Sequence, residues 1–261
     1  MPDTTPPRRT PEHHPGNAAG HAVASAGRCL GALALAVMAA GCGGAAARAT
    51  APPVRATTAR PGPAGAEIAR ARGGRLPVYA APGGARRTTL ASPNAYGAPR
   101  VLLVTRRSGG WLEALLPMRP NGSRGWVRAS DVTLTTTTRH VTVRLGALRF
   151  TVYDGARVIR TGQIAVGTRD TPTPPGHYYF TELLRAPDPH GDYGPYAYGL
   201  SGHSPKLHRF AGGPGQLALH GTNHPGLVGH RVSHGCIRLR NPDITWMARN
   251  LVLGTPVTVQ T

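Results

Sequence analysis

One twenty-residue stretch holds the residues with the most chemical potential: His220-Gly221-Thr222, then Ser233-His234-Gly235-Cys236-Ile237-Arg238-Leu239. Acyl transfer by cysteine needs a thiolate, so a nearby group must take the thiol proton or lower its pKa. It needs a base that later protonates the leaving amine, and histidine titrates in the right range. It also needs N–H donors aimed at the developing oxyanion. Gly235, directly before Cys236, lets the backbone turn tightly enough to present such donors, because glycine tolerates positive φ. A rival reading is a metal site, since His220, His224, His230, His234 and Cys236 crowd the same stretch. Their spacing matches neither HExxH nor paired CxxC patterns, so no metal is expected.

Cysteine usage narrows the choice. The chain has three cysteines, Cys29, Cys42 and Cys236. Residues 1–28 are polar and end in Arg28, and an apolar run follows from Cys29 to Ala40. That run is too short to span a bilayer and suits the apolar region of a signal peptide. It leads into Ala39-Ala40-Gly41-Cys42, which resembles the lipobox of bacterial lipoproteins with Ala in place of the usual first Leu. Residues 1–41 are therefore expected to be a cleaved leader, with Cys42 lipidated; an ordinary signal cleaved nearby is the alternative. An exported chain then keeps one thiol, Cys236, in a compartment where spare thiols tend to become disulfides. The protein is expected in the cell envelope, lipid-anchored to the outer face of the cytoplasmic membrane.

Charge excludes less. The net charge is +19, from 30 Lys+Arg against 11 Asp+Glu, and every basic residue but Lys206 is arginine. An anionic lipid or wall polymer would suit this balance, as would a coding bias that replaced Lys by Arg. The arginines are scattered and no nucleic-acid-binding motif is present, so no nucleic acid is expected as partner.

The elements that must position these residues read as mainly β. Residues 42–65 are Ala, Thr, Pro and Arg without apolar periodicity, a flexible tether. Over 66–137, short apolar runs such as Leu76–Tyr79, Val101–Thr105, Trp111–Leu116 and Gly125–Val127 sit between Gly, Pro and Asn. Asn121-Gly122 marks a hairpin. About five short strands suit a small barrel, and Gly-Trp-Leu, Asn-Gly and Gly-Trp-Val resemble bacterial SH3-like domains. Trp111 and Trp126 are either its core or a peptide-binding surface. Over 138–261 the strands His140–Leu145, Leu148–Tyr153, Arg157–Ile159 and Gln163–Val166 alternate, with a turn at Asp154-Gly155. One helix is expected, with Asn241 as N-cap, Pro242 at its first position and a stop at Gly254. The Gly-, Pro- and Tyr-rich segment from Asp188 to Gly215 is long for a loop and reads as a lid or a disordered insertion.

The catalytic string resembles that of L,D-transpeptidases of the YkuD type, which have His-Gly upstream of Ser-His-Gly-Cys-x-Arg. Thr171-Pro172-Thr173-Pro174-Pro175-Gly176 resembles the family's Thr-Pro-x-Gly turn, and Asn241–Ile244 and Gly254–Val257 its closing helix and strand. The resemblance implies an SH3-like barrel followed by a β-sandwich catalytic domain over 138–261, with no cofactor. It makes Cys236 the nucleophile, His220 the general base and acid, and the Gly221 carbonyl the group that orients the imidazole. The amides of His234, Gly235 and Cys236 would form the oxyanion hole. Arg238, Ser233 and Tyr198 are the substrate-binding candidates, with Ser233 also able to fix the turn. The implied partners are peptidoglycan stem peptides, as donor and acceptor, joined in 3→3 cross-links. An L,D-carboxypeptidase, in which water resolves the acyl-enzyme, and a non-catalytic wall-binding lipoprotein are the rivals.

Overall fold

The computed structural model describes residues 65–261. The leader, Cys42 and nearly all of the tether lie outside the described residues. Seven strands span residues 66–137: β1 (Ala66–Ala71), β2 (Arg75–Tyr79), β3 (Arg86–Ala91), β4 (Val101–Ser108), β5 (Trp111–Leu115), β6 (Arg124–Arg128) and β7 (Val132–Thr137). They form one sheet in the order β3-β2-β6-β5-β4-β1-β7. Their alternating apolar positions, among them Ile68, Leu76, Val78, Leu102, Leu112 and Val127, close a core of their own. The Asn121-Gly122 turn joins β5 to β6 with Gly122 at φ +82°. The two tryptophans lie under arginines: Arg106 is 4.9 Å above the Trp126 ring, and Arg128 is 5.4 Å from Trp111.

The remaining strands are β8 (Arg139–Arg144), β9 (Arg149–Asp154), β10 (Arg157–Gly167), β11 (Gly176–Arg185), β12 (Tyr196–His203), β13 (Gln216–His220), β14 (Arg231–Ser233), β15 (Ile237–Leu239) and β16 (Pro256–Gln260). The helix α1 spans Asn241–Asn250. The nine strands run in the order β14-β10-β15-β13-β12-β11-β16-β8-β9. Strand β10 also pairs with β9, so the sheet folds back on itself and two layers share one core. The two short strands expected over 157–166 are thus one strand of 11 residues. Its continuity depends on Gly162, where a Cβ would come within 2.6 Å of the Phe150 ring. The Asp188–Gly215 segment is not one lid, because β12 runs through its middle and leaves two shorter turns, 186–195 and 204–215.

Helix α1 starts differently from the expectation. The capping position is Arg240, which makes no side-chain cap bond. Asn241 instead accepts the Thr222 amide at 2.8 Å through Oδ1, so its side chain serves the loop after β13.

The two cores touch through β11. Tyr179 is buried in the first core and donates its hydroxyl to the Leu115 carbonyl, whereas Phe180, next along, stacks on Tyr198 in the second at 4.0 Å. Truncating a fully buried aromatic costs its transfer energy plus the cavity left behind. Phe180→Ala should therefore lower unfolding free energy by about 3–5 kcal/mol in a denaturant titration. A loss below about 1 kcal/mol would show that Phe180 is not a core residue.

Candidate active site

Cys236 lies in the short connection from β14 to β15, and several hydroxyls hold that connection. The Ser233 hydroxyl donates to the Cys236 carbonyl at 2.5 Å and accepts the Gly235 amide at 3.1 Å. The Thr173 hydroxyl donates to the Gly235 carbonyl at 2.8 Å and itself accepts the Gly167 amide at 2.9 Å. Thr171 donates to the Ser233 carbonyl at 3.2 Å. Gly235 takes φ +119°, a conformation open to glycine alone at little cost. The Thr-Pro-Thr-Pro run is therefore the brace of the turn that carries Cys236, a role its sequence did not announce.

These bonds correct two expectations. The Gly235 amide is occupied by Ser233, so it is not a donor to an oxyanion. Ser233 is 1% exposed with its hydroxyl fully engaged in the turn, so it holds the loop and does not touch substrate.

His220 ends β13, which runs parallel to β15 with Leu219 opposite Ile237. That register places Ala218 opposite Cys236 and His220 opposite Arg238, all on one face of the sheet. The imidazole is 4% exposed, and its Nδ1 lies 2.6 Å from the Gly221 carbonyl. A carbonyl only accepts, so Nδ1 carries the proton and the Nε2 lone pair is available as a base. Gly221 is held in turn by Asn241, whose Oδ1 a Cβ at Gly221 would approach to 2.4 Å. Burial depresses the His220 pKa to about 4, with the Gly221 bond opposing the shift and Arg238 adding to it. Burial pushes the Cys236 thiol up, partly offset by a hydrogen bond from Ala218 and by Arg238. Both shifts favour the uncharged forms, a neutral thiol beside a neutral imidazole.

The remaining candidates separate. His234 is exposed, with its ring 5.1 Å from that of Phe210. Arg238 is partly buried, and its Nε has no hydrogen-bond partner. Tyr198 is fully buried, and its hydroxyl donates to the carbonyls of Met247 and Leu251 at the end of α1. It is a core residue that ties β12 to the helix, which overturns its assignment to substrate. Tyr193, from the same Tyr-rich segment, is exposed instead, and its ring lies 4.7 Å from that of His220. Among the described residues no three His, Cys, Asp or Glu side chains come together as a metal site.

Cys236 opens onto a cavity of about 690 Å³ whose walls include Tyr193, Phe210, Ala218, Glu182 and Tyr96. Tyr96 belongs to the first sheet's side of the molecule, between β3 and β4. Sequence gave no signal for it.

Known proteins resemble the chain in the same region. A family model described as the L,D-transpeptidase catalytic domain matches residues 138–259. The YkuD protein of Bacillus subtilis is 38% identical over 120 residues, which cover 46% of this chain and 65% of that protein. The YkuD protein of Bacillus licheniformis is 32% identical over 154 residues, 56% of this chain and 85% of that one. A solved L,D-transpeptidase from Mycobacterium smegmatis is 18% identical over 62% of this chain and 90% of that chain, at a TM-score of 0.40.

The depressed imidazole pKa has a kinetic consequence. A histidine serves as a base only when neutral, so if His220 is the base, activity should fall as pH drops through about 4 and not through the ordinary histidine value of 6.5. A pH–rate profile of kcat/KM checks this. An acid limb centred at or above 6.5 would contradict the buried, neutral base.

Proposed function

The chain belongs to the L,D-transpeptidase (YkuD) family, and from that premise we propose that it cross-links peptidoglycan stem peptides 3→3 through an acyl-enzyme on Cys236. The observation that carries the reading is the Nδ1–H bond from His220 to the Gly221 carbonyl, which fixes the base on the same sheet face as the thiol, at the mouth of a cavity.

In the proposed first step the Cys236 Sγ attacks the carbonyl carbon of the third stem residue while His220 Nε2 takes the thiol proton. The S–C bond forms, the C–N bond to the terminal D-alanine breaks, and the proton passes from His220 to the leaving amine. The amides of His234 and Cys236 serve the oxyanion. In the second step the side-chain amine of another stem attacks the thioester, giving its proton to His220 and then to the departing thiolate. Arg238 holds positive charge beside the pair, which favours the thiolate as it forms. No cofactor enters. Lipidation at Cys42 would hold the enzyme at the outer face of the cytoplasmic membrane, within reach of the wall, and residues 66–137 would act as an SH3-like partner domain.

Transfer requires that amine beat water to the thioester, which a lined cavity favours by positioning one and excluding the other. The cavity walls are mostly apolar: Tyr193, Phe210, Leu184, Ala197 and Pro214. Purified enzyme given tetrapeptide stems should make dimers, or exchange the terminal D-residue, faster than it makes tripeptide. Mainly tripeptide in excess acceptor amine would assign the enzyme as a carboxypeptidase. His220→Ala should slow acylation by roughly 10²–10⁴-fold, the usual worth of a general base. A change confined to KM would remove His220 from proton transfer.

A further inference from the structure

Cys236 is one end of a row that crosses four neighbouring strands. Cross-strand pairing sets Glu182 of β11 opposite Gly199 of β12, and Gly199 opposite Ala218 of β13. The parallel register of β13 with β15 then sets Ala218 opposite Cys236. All four residues line the same cavity. The middle two have almost no side chain, so the row is a trough with a thiol at one end and a carboxylate at the other. The carboxylate reaches inward: a Cβ at Gly199 would come within 1.6 Å of Glu182 Oε1. It therefore lies above Gly199, two strand spacings, or roughly 10 Å, from the Cys236 strand.

A break in register puts it there. Phe180 pairs with Leu200, but Glu182 pairs with Gly199, so Thr181 is an extra residue in β11. Strand residues alternate between faces, and one inserted residue reverses that alternation. Phe180 and Leu183 both face the core, while Glu182 and Leu184 face the cavity. The bulge has aimed a carboxyl group into the trough.

That carboxyl is 2% exposed and accepts from the Asn94 and Gln216 amides, at 2.8 Å each. Among the described residues no ion pair includes it. Arg100 is the cation whose charge acts on it, and the Arg100 Nε is engaged by the Ala91 carbonyl. Burial pushes the carboxyl pKa up, so the site pays to keep an acid where a neutral amide acceptor would satisfy Asn94. A buried carboxylate without a cation is a place for one to bind. Arg185 is the other charged residue of the cavity wall.

We propose that Glu182 is the subsite for the side-chain ammonium of the donor stem's third residue, the residue whose carbonyl is attacked by Cys236. With that carbonyl at the thiol, an extended amine-bearing side chain runs along the floor of Gly199 and Ala218 and places its ammonium at Glu182. Tyr96 covers this end of the trough, and its position is set by the same network: the Tyr96 and Ala98 amides both donate to Asn94 Oδ1, and Asn94 Nδ2 donates to Glu182. The subsite rests on the transpeptidase reading and names what its donor must carry.

The test uses the full chain and two synthetic tetrapeptide stems, identical except that the third residue's side-chain amine is free in one and N-acetylated in the other. The readout is kcat/KM for release of the terminal D-residue. Wild type should prefer the free amine by roughly tenfold or more, the worth of one charge-assisted contact. Glu182→Gln should bring that ratio close to one. Exchanging the pair, Glu182→Gln with Gln216→Glu, returns a carboxylate to the trough and should restore the preference. Equal use of both stems by wild type overturns the subsite while leaving the transpeptidase intact, and so does an unchanged ratio in Glu182→Gln. Release from neither stem overturns the transpeptidase reading itself.

Discussion

The bond from His220 Nδ1 to the Gly221 carbonyl is the constraint around which the site is arranged. A buried imidazole without it would be an unsatisfied donor, at a cost of about 1–3 kcal/mol, and would be free to adopt either tautomer. With it, the acceptor nitrogen is fixed toward the thiol's side of the sheet. A carbonyl does this without adding a negative charge, so burial is left to depress the imidazole pKa to about 4. The result is an imidazole that stays neutral at physiological pH, beside a thiol that burial also keeps neutral. In the proposed mechanism, proton transfer is thereby tied to the arrival of substrate.

That bond depends on elements distant in sequence. Asn241 gives up a capping role at the helix start to hold the Thr222 amide and crowd Gly221. The 186–195 turn packs Gly194 against the same spot, where a Cβ would come within 2.8 Å of the Gly221 Cα. Thr171 and Thr173 hold the Cys236 turn from the loop that follows β10. The first sheet contributes as well: Arg119 donates to the carbonyls of Ser204, Leu207 and Pro214 and so fixes the 204–215 turn, whose tip carries Phe210 into the cavity wall.

Much of this was legible in the sequence. The strand-rich pattern, the single helix near 241–250, the turns at Gly122 and Gly155, and the stretch holding His220 and Cys236 all follow from spacing and turn chemistry. The errors share one cause: a residue's type does not tell which face it occupies. Tyr198 stood in a Tyr-rich segment that resembled a lid, yet its strand turns it into the core, where two helix-end carbonyls take its hydroxyl. Glu182 stood in the apolar run Tyr178–Leu184 as one acid among core residues. The bulge that exposes it to the cavity has no signature in residue type. Tyr96 and Arg119 act through tertiary packing alone, which no local pattern records.

The central claim is a covalent one, so mass spectrometry of the protein itself tests it most directly. Enzyme quenched in acid after brief incubation with a tetrapeptide stem should carry the stem, less its terminal residue, on the peptide that contains Cys236. Cys236→Ala should carry none. An adduct on another residue, or turnover by Cys236→Ala at the wild-type rate, would contradict the account.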